Sequence, residues 1–328
     1  MKQAIFFFAV IILSYMLSSC ATLTKSQLNE VNAFGQLTCH FSAFPGTIVS
    51  TYNHVHQQQE IYRANSLADP AAHFAAIKQA NNFLRITKPY PEKIDLSLKI
   101  IDEYGQGLIL LTDTKHQKLF DTAAAKFGTN LESLITTYNK IDAGAQLPTG
   151  IGSAVAAVII LGGDVYIRSK QAKDIKQVVP LGDVIIEKMT NNLLDFLGPK
   201  DDPQNTKGLQ YLISQEKESV ENNYRAYLGL NRDVVSINKD KDNYPGFIKH
   251  ERFASIADDR DCLQMLQALD GIEVLRVQCI DAVTGLRKAH AKLLKDIQQK
   301  ITLKQYAQEI QDYSAEVKNI YNTIGAIK

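Results

Sequence analysis

After Pro245 the chain contains no proline, and its last eighty-odd residues repeat apolar side chains at heptad spacing. Leu303, Ile310, Val317 and Ile324 interleave with Tyr306, Tyr313, Ile320 and Ile327 through four heptads without a miss. Upstream, Ile272, Cys279, Leu286 and Leu293 interleave with Leu275, Ala282 and Ala289. A repeat near 3.5 residues lines one face of an α-helix, whereas in a strand it would scatter over both faces. The two tracts differ in phase at residues 301–304, where TLKQ can cap a new helix, so the region reads as a helical hairpin or as one long kinked helix. A seam this narrow needs a covering helix. A neighbour in the same chain gives an antiparallel bundle, and a second chain gives a homo-oligomeric coiled coil. The number of other helices available favours the bundle.

The remainder reads as helix as well. The nine prolines sit at apparent breaks, and between them the apolar spacing is helical. A first helix is expected from about Thr24 to Phe44, carrying Leu28, Val31 and Phe34 inward, and a second from about Thr47 to Ser66 with Ile48, Tyr52, Val55 and Tyr62. A third opens at Asp69 with Pro70 in its first turn. KPYPE at 88–92 precedes a helix with Ile94, Leu98, Ile101, Leu108 and Leu111, interrupted at Gly105 and Gly107. TNLE at 129–132 reads as a capping box that starts another. Pro180 should kink or restart the helix around it, and the polar stretch from Gly198 to Gly208 reads as a hinge. The expected architecture is all-α: an elongated multi-helix bundle with long antiparallel C-terminal helices and a buried apolar central helix. Three regions follow: a leader at 1–19, an N-terminal helical region at 20–200, and a C-terminal long-helix region at 201–328 packed against it.

The first nineteen residues carry one charge, Lys2, then an apolar run from Ala4 to Leu13 and small or polar residues to Ser19. That run is shorter than the roughly 17 residues a spanning helix needs, and its layout is that of a cleavable signal peptide. Leu17, Ser18, Ser19 and Cys20 follow it as LSSC, which resembles the lipobox of bacterial lipoproteins. The resemblance covers these four residues and their leader. It implies cleavage before Cys20, diacylglycerol on the Cys20 thiol and a lipid anchor in a bilayer; in that class Ala21 after the cysteine, where aspartate would signal inner-membrane retention, implies the outer membrane. Several acyl chains, at about 0.8 kcal/mol per buried methylene, make a durable tether.

Removal of the leader would leave 35 basic against 35 acidic residues, interspersed along the chain. Nucleic-acid binding depends on concentrated positive charge, so that class is set aside. Cys39, Cys262 and Cys279 remain beside the anchor. The last two are seventeen residues apart on one expected helix, about 25 Å of rise, so a disulfide would have to use Cys39.

No catalytic or cofactor motif emerges. Around Gly150 and Gly152 the third glycine of GxGxxG would fall at Val155, and Ser153 lacks a GxSxG setting. The apolar stretch from Ile151 to Gly163, with Val155, Val158, Ile159, Ile160 and Leu161, lies in a charge-free segment at 143–163, in which Gly152 and Ala156 would let a neighbouring helix approach closely. In layout, an apolar segment between long helices, it resembles the helical pore-forming toxins, which would imply membrane insertion. Its length favours a fully buried central helix instead. His54 and His56 would point about 200° apart on a helix, and His56 with Glu60 makes only two ligands, so both read as solvated polar-face residues rather than a metal site. The absence of tryptophan weakens a carbohydrate platform. The sequence therefore leads to the expectation of an outer-membrane lipoprotein facing the periplasm, tethered to the bilayer through Cys20, with no cofactor, that binds or scaffolds an envelope protein and is able to oligomerise. Membrane insertion by 151–163 and a hydrolase with a scattered His–carboxylate site are its rivals.

Overall fold

The computed structural model describes residues 25–41, 45–67, 69–80, 90–112, 120–141, 146–160, 168–200, 206–228, 255–299 and 303–327. These form ten helices with no strand among them: α1 (Lys25–Phe41), α2 (Pro45–Asn65), α3 (Pro70–Ala80), α4 (Tyr90–Thr112), α5 (Phe120–Ile141), α6 (Ile151–Ile160), α7 (Arg168–Leu197), α8 (Gly208–Tyr227), α9 (Ile256–Gln299) and α10 (Leu303–Ile327). The chain is all-α and packs as a bundle.

The 44-residue α9, about 66 Å long at 1.5 Å per residue, is the spine. Its C-terminal half pairs with α10, and Gly285 lies opposite Tyr313, so the two long helices form an antiparallel hairpin rather than one kinked rod. Along its length α9 also packs on α7, α2 and α8, while α10 covers α1. The second hub is α4, which touches α1, α5, α7 and α2. One continuous apolar core results, running from Leu28 in α1 to Ile320 in α10. The seam is legible in it: Tyr313, Val317 and Ile320 are buried and Ile310 is partly buried against the core. Leu303, Tyr306 and Ile324 lie on α10, but their side chains are outside the described set.

Several helix boundaries differ from the sequence expectations, each for a local reason. The TNLE capping box does not form, because α5 runs through it. Its apolar face continues in phase from Ala124 and Phe127 to Leu131, Ile135 and Tyr138, and the Thr129 hydroxyl donates back to the Ala125 carbonyl. Gly105 and Gly107 do not interrupt α4. They allow close approach, since a Cβ on Gly105 would lie 2.8 Å from the Gly35 carbonyl and one on Gly107 2.6 Å from the Phe127 ring. Pro180 sits inside α7 without ending it. A proline there costs about 3 kcal/mol, offset by the burial of Ile175, Val178, Val179, Ile185, Ile186 and Met189 on both sides. Side chains supply the cap at two helix starts, of which the first, at Asp69, was expected from the sequence. Asp69 accepts from the Ala71 and Ala72 amides at 3.2 and 3.1 Å ahead of α3. Ser255 and Asp258 form a reciprocal box at the start of α9: Ser255 Oγ accepts from the Asp258 amide and the Asp258 carboxylate accepts from the Ser255 amide.

Near the end of α9, Asp296 is almost wholly buried, and its oxygens have no hydrogen-bond partner among the described residues; Lys292 Nζ stands 3.8 Å away. Burial raises its pKa, against the pull of Lys292 and Lys295. A carboxyl whose folded pKa is raised holds its proton better in the folded than in the unfolded chain. Its contribution is therefore most favourable at low pH and turns into a penalty as pH rises through the folded value. Asp296→Asn is expected to stabilise the protein at pH 7 by on the order of 1 kcal/mol, with the difference from the parent shrinking toward pH 4 in urea titrations.

Candidate functional site

Two clusters join a histidine to a carboxylate and a tyrosine. Both lie in helix interfaces. In the first, α2 and α8 bury Glu216 completely. Its carboxylate lies 2.9 and 3.0 Å from His56 Nδ1 and 3.0 Å from the Tyr52 hydroxyl, which also reaches the Leu212 carbonyl at 3.1 Å. The network extends outward: Gln59 Nε2 donates to Glu60, Arg63 Nε donates to the other oxygen of Glu60, and the Asn223 amide donates to Gln59. His56 and Glu60 are thus buried members of an inter-helix network, not the solvated residues the sequence suggested, whereas His54 is exposed. Spacing within α2 could not reveal this, because the partner, Glu216, is 160 positions away.

In the second cluster, His290 of α9 lies where α1, α4, α7 and α10 converge. Its Nδ1 is 3.1 Å from Asp183 and its Nε2 is 2.8 Å from the Tyr104 hydroxyl, with the Phe34 ring 5.8 Å away. A neutral imidazole carrying its proton on Nδ1 satisfies both contacts: it donates to Asp183 and accepts from Tyr104. The hydrogen bond from His290 holds the Asp183 carboxyl below its usual range, against the opposing effect of burial, and burial pushes the Tyr104 hydroxyl well above the usual phenol value. Carboxylate, imidazole and hydroxyl stand in the order of a nucleophile relay. The hydroxyl, however, has no space for a substrate: Tyr104 is wholly buried, and the α-carbon of Gly182 lies so close that a Cβ there would be 2.1 Å from the ring. In this arrangement the three side chains tie α4, α7 and α9 together.

A third buried polar group is Arg276, with no exposed surface. It donates to the carbonyls of Leu197, Pro199 and Lys200 at 3.1, 2.7 and 3.2 Å and pairs with Glu273. These carbonyls belong to the α7 C-terminus, where Gly198 adopts φ +76°, so the guanidinium supplies donors the helix end lacks.

Two clefts among the described residues lie elsewhere. One, of about 570 Å³, opens between α2 and α4 beside Ser50, Asn53, Lys99 and Asp102. The other, of about 310 Å³, lies at the α7–α8 turn beside Gly198, Lys200 and Lys207. Neither is lined by His56, Glu216, His290 or Asp183. No group of three metal-ligating side chains occurs among the described residues, and His56 with Glu216 supplies two.

The apolar helix α6 is buried along one face: Ile151, Gly152, Val155 and Ala156 pack inward while Ser153, Ala154 and Ala157 are exposed. It is stapled to α5. Glu132 accepts from the Gly150 and Gly152 amides at 2.8 and 3.2 Å, and Asn139 exchanges two 2.8 Å bonds with the Leu147 backbone. A Cβ on Gly152 would lie 2.5 Å from the Gly128 carbonyl, so small residues at 128, 152 and 156 let the two helices touch. The side chains of Val158, Ile159 and Ile160, and Leu161 entirely, are outside the described residues, as is Cys20. Among the described residues no helix is long and apolar enough to cross a membrane. Cys39, Cys262 and Cys279 are thiols, and none of them forms a disulfide.

The comparisons return no relative: no protein-family model matches the chain, and neither a curated protein nor a solved structure does.

Proposed function

We propose that this chain is a lipid-anchored helical module of the bacterial cell envelope, held to the outer membrane through Cys20, facing the periplasm and binding or scaffolding a protein partner with its helix surfaces. The observation that carries it is LSSC directly after an apolar leader, ahead of a water-compatible helical bundle. Support for a surface role comes from the polar clusters. His56–Glu216, Asp183–His290–Tyr104 and Arg276 each connect helices, and the large side chains left to solvent lie on helix faces. Replacing Cys20 with alanine is expected to shift the protein from the membrane to the soluble fraction, and mass spectrometry should find acyl chains on a mature N-terminal Cys20. A mature N-terminus downstream of residue 20 would refute the reading, and proteins co-purifying with the lipidated form would identify the partner.

The membrane-active rival rests on the apolar segment at 151–163. Releasing α6 would require giving up the Glu132 and Asn139 bonds and the contact between Gly128 and Gly152, which favours the tethered-module reading. Leakage from liposomes exposed to the protein, abolished by Val158→Asp, would reverse that preference.

A further inference from the structure

The first five turns of α9 have two faces. Cys262, Met265, Leu269 and Ile272 are buried against the bundle, and directly opposite them Ile256, Arg260, Leu263, Gln267, Asp270 and Val274 form a stripe exposed along its whole length. Single exposed apolar residues are ordinary. Here three large ones, exposed by 79% at Ile256, 57% at Leu263 and 49% at Val274, share one stripe of a helix whose other face already fills the core.

The order of residues on that stripe is self-complementary. Laid antiparallel on itself about a point level with Met265, it sets Ile256 against Val274, Leu263 against Gln267, and Arg260 against Asp270. Apolar ends meet apolar ends, and each cation meets an anion, twice, by symmetry. This is what an isologous two-fold contact requires of one surface. The flanking Ala257 and Gly271 are small enough to let two helices approach. Asp270 is held in place by Lys217 of α8 at 2.5 Å and, as a carboxylate, keeps acceptor sites for an arginine from outside. Pairing of α9 with α10 leaves the stripe exposed: the contact of Gly285 with Tyr313 lies eleven residues, about 16 Å of rise, beyond Val274.

We infer that this stripe is a docking surface for a second copy of the chain, the two α9 helices packing antiparallel through residues 256–274. The contact extends about 27 Å, which places it in the small, reversible class of interfaces. Copies confined to one membrane meet at high effective concentration, and in that respect the inference rests on the anchored reading above.

The test uses the full-length protein, produced as two differently tagged copies, with mild oxidation of intact membranes. One copy carrying Ile256→Cys and the other Val274→Cys should form a mixed-tag disulfide, as should Leu263→Cys with Gln267→Cys. Ile256→Cys in both copies should cross-link at least tenfold less, because those positions are then about 27 Å apart, beyond disulfide reach. Arg260→Glu alone or Asp270→Arg alone should cut mixed-tag cross-linking several-fold, and the two together in every copy should restore it. All these positions are exposed, so folding should be kept, as circular dichroism melts will show. Equal cross-linking of every pair, no mixed-tag product, no rescue by the double reversal, or capture only of a different protein at Leu263→Cys would overturn the inference. Partition of the same samples between membrane and soluble fractions reports on the anchor separately, so failure of the tether and failure of the pairing are distinguishable.

Discussion

Glu216→Ala is expected to lower the free energy of unfolding by about 3–5 kcal/mol. Glu216 has no exposed surface, and its carboxylate accepts from His56 Nδ1 and from the Tyr52 hydroxyl across the α2–α8 interface. Alanine removes the carboxylate from both groups and leaves a cavity in the α2–α8 interface. The bonds of His56 Nδ1 and the Tyr52 hydroxyl to a buried carboxylate are lost, at about 1–3 kcal/mol apiece, although Tyr52 keeps the Leu212 carbonyl at 3.1 Å, and the vacated volume adds to the loss. Glu216→Gln retains one acceptor oxygen and should cost about half as much. The exposed Lys99–Asp95 pair on α4 is the internal comparison, and Asp95→Asn should stay within about 0.5 kcal/mol. Urea titrations of the four proteins check the order. A triple replacement, Tyr52→Phe, His56→Leu and Glu216→Leu, should recover most of the loss, since apolar groups of matching size can replace a buried polar set. If Glu216→Ala melts like the parent, the network does not hold α2 to α8.

How much of this was legible in the sequence depends on the range over which each signal acts. The heptads of 303–327 and 272–293 marked two long helices with a slip between them because period and phase are local, and the core positions Tyr313, Val317 and Ile320 follow from them, but the choice of a hairpin over one kinked helix came from the packing. Capping was legible only in part. TNLE was read as a capping box, yet Thr129 sits mid-helix in α5, whereas the box that forms, between Ser255 and Asp258, was not among the starts read from the sequence. The apolar phase decides between them: it runs unbroken upstream of Thr129, so continuing the helix buries more than restarting it would. Gly105 and Gly107 looked like interruptions for the same reason that they are useful, since a missing side chain weakens a helix in isolation and allows contact in a bundle. The polar clusters were not legible at all. His56 finds Glu216 160 residues away, and His290 finds Asp183 at 107 and Tyr104 at 186. Nothing in the spacing of either histidine encodes a partner on another helix. The self-complementary stripe of α9 stands between these cases: its residues are local, but which face of α9 the bundle leaves open became clear only from the packing.

Gly182→Ala should be as damaging as Glu216→Ala, through crowding rather than loss of a bond. The added methyl would lie 2.1 to 2.3 Å from Cζ, Cε2 and the hydroxyl of Tyr104, far inside contact distance. Neither side can yield easily. Gly182 lies inside α7, two residues after Pro180, and Tyr104 is wholly buried with its hydroxyl held by His290 and its ring 5.5 Å from the imidazole. Overpacking of this kind costs about 1–3 kcal/mol where side chains can shift and more where they cannot, so at least about 3 kcal/mol is expected here. Tyr104→Ala alone should cost about 3–5 kcal/mol as a cavity. In the double variant the new methyl enters the space the ring has left, so the combined loss should be smaller than that of Tyr104→Ala plus Gly182→Ala by nearly the whole cost of the latter. Additive losses in urea unfolding would show that the methyl is accommodated some other way. The crowding also bears on pH: the hydrogen bond that lowers the Asp183 pKa stabilises the fold above the unfolded carboxyl value and is lost as pH falls through the folded one. Gly182→Ala displaces Tyr104 and, with it, His290. The variant should therefore lose less stability than the parent between pH 5 and pH 3, whereas a methyl that left the Asp183–His290 bond untouched would leave that slope unchanged.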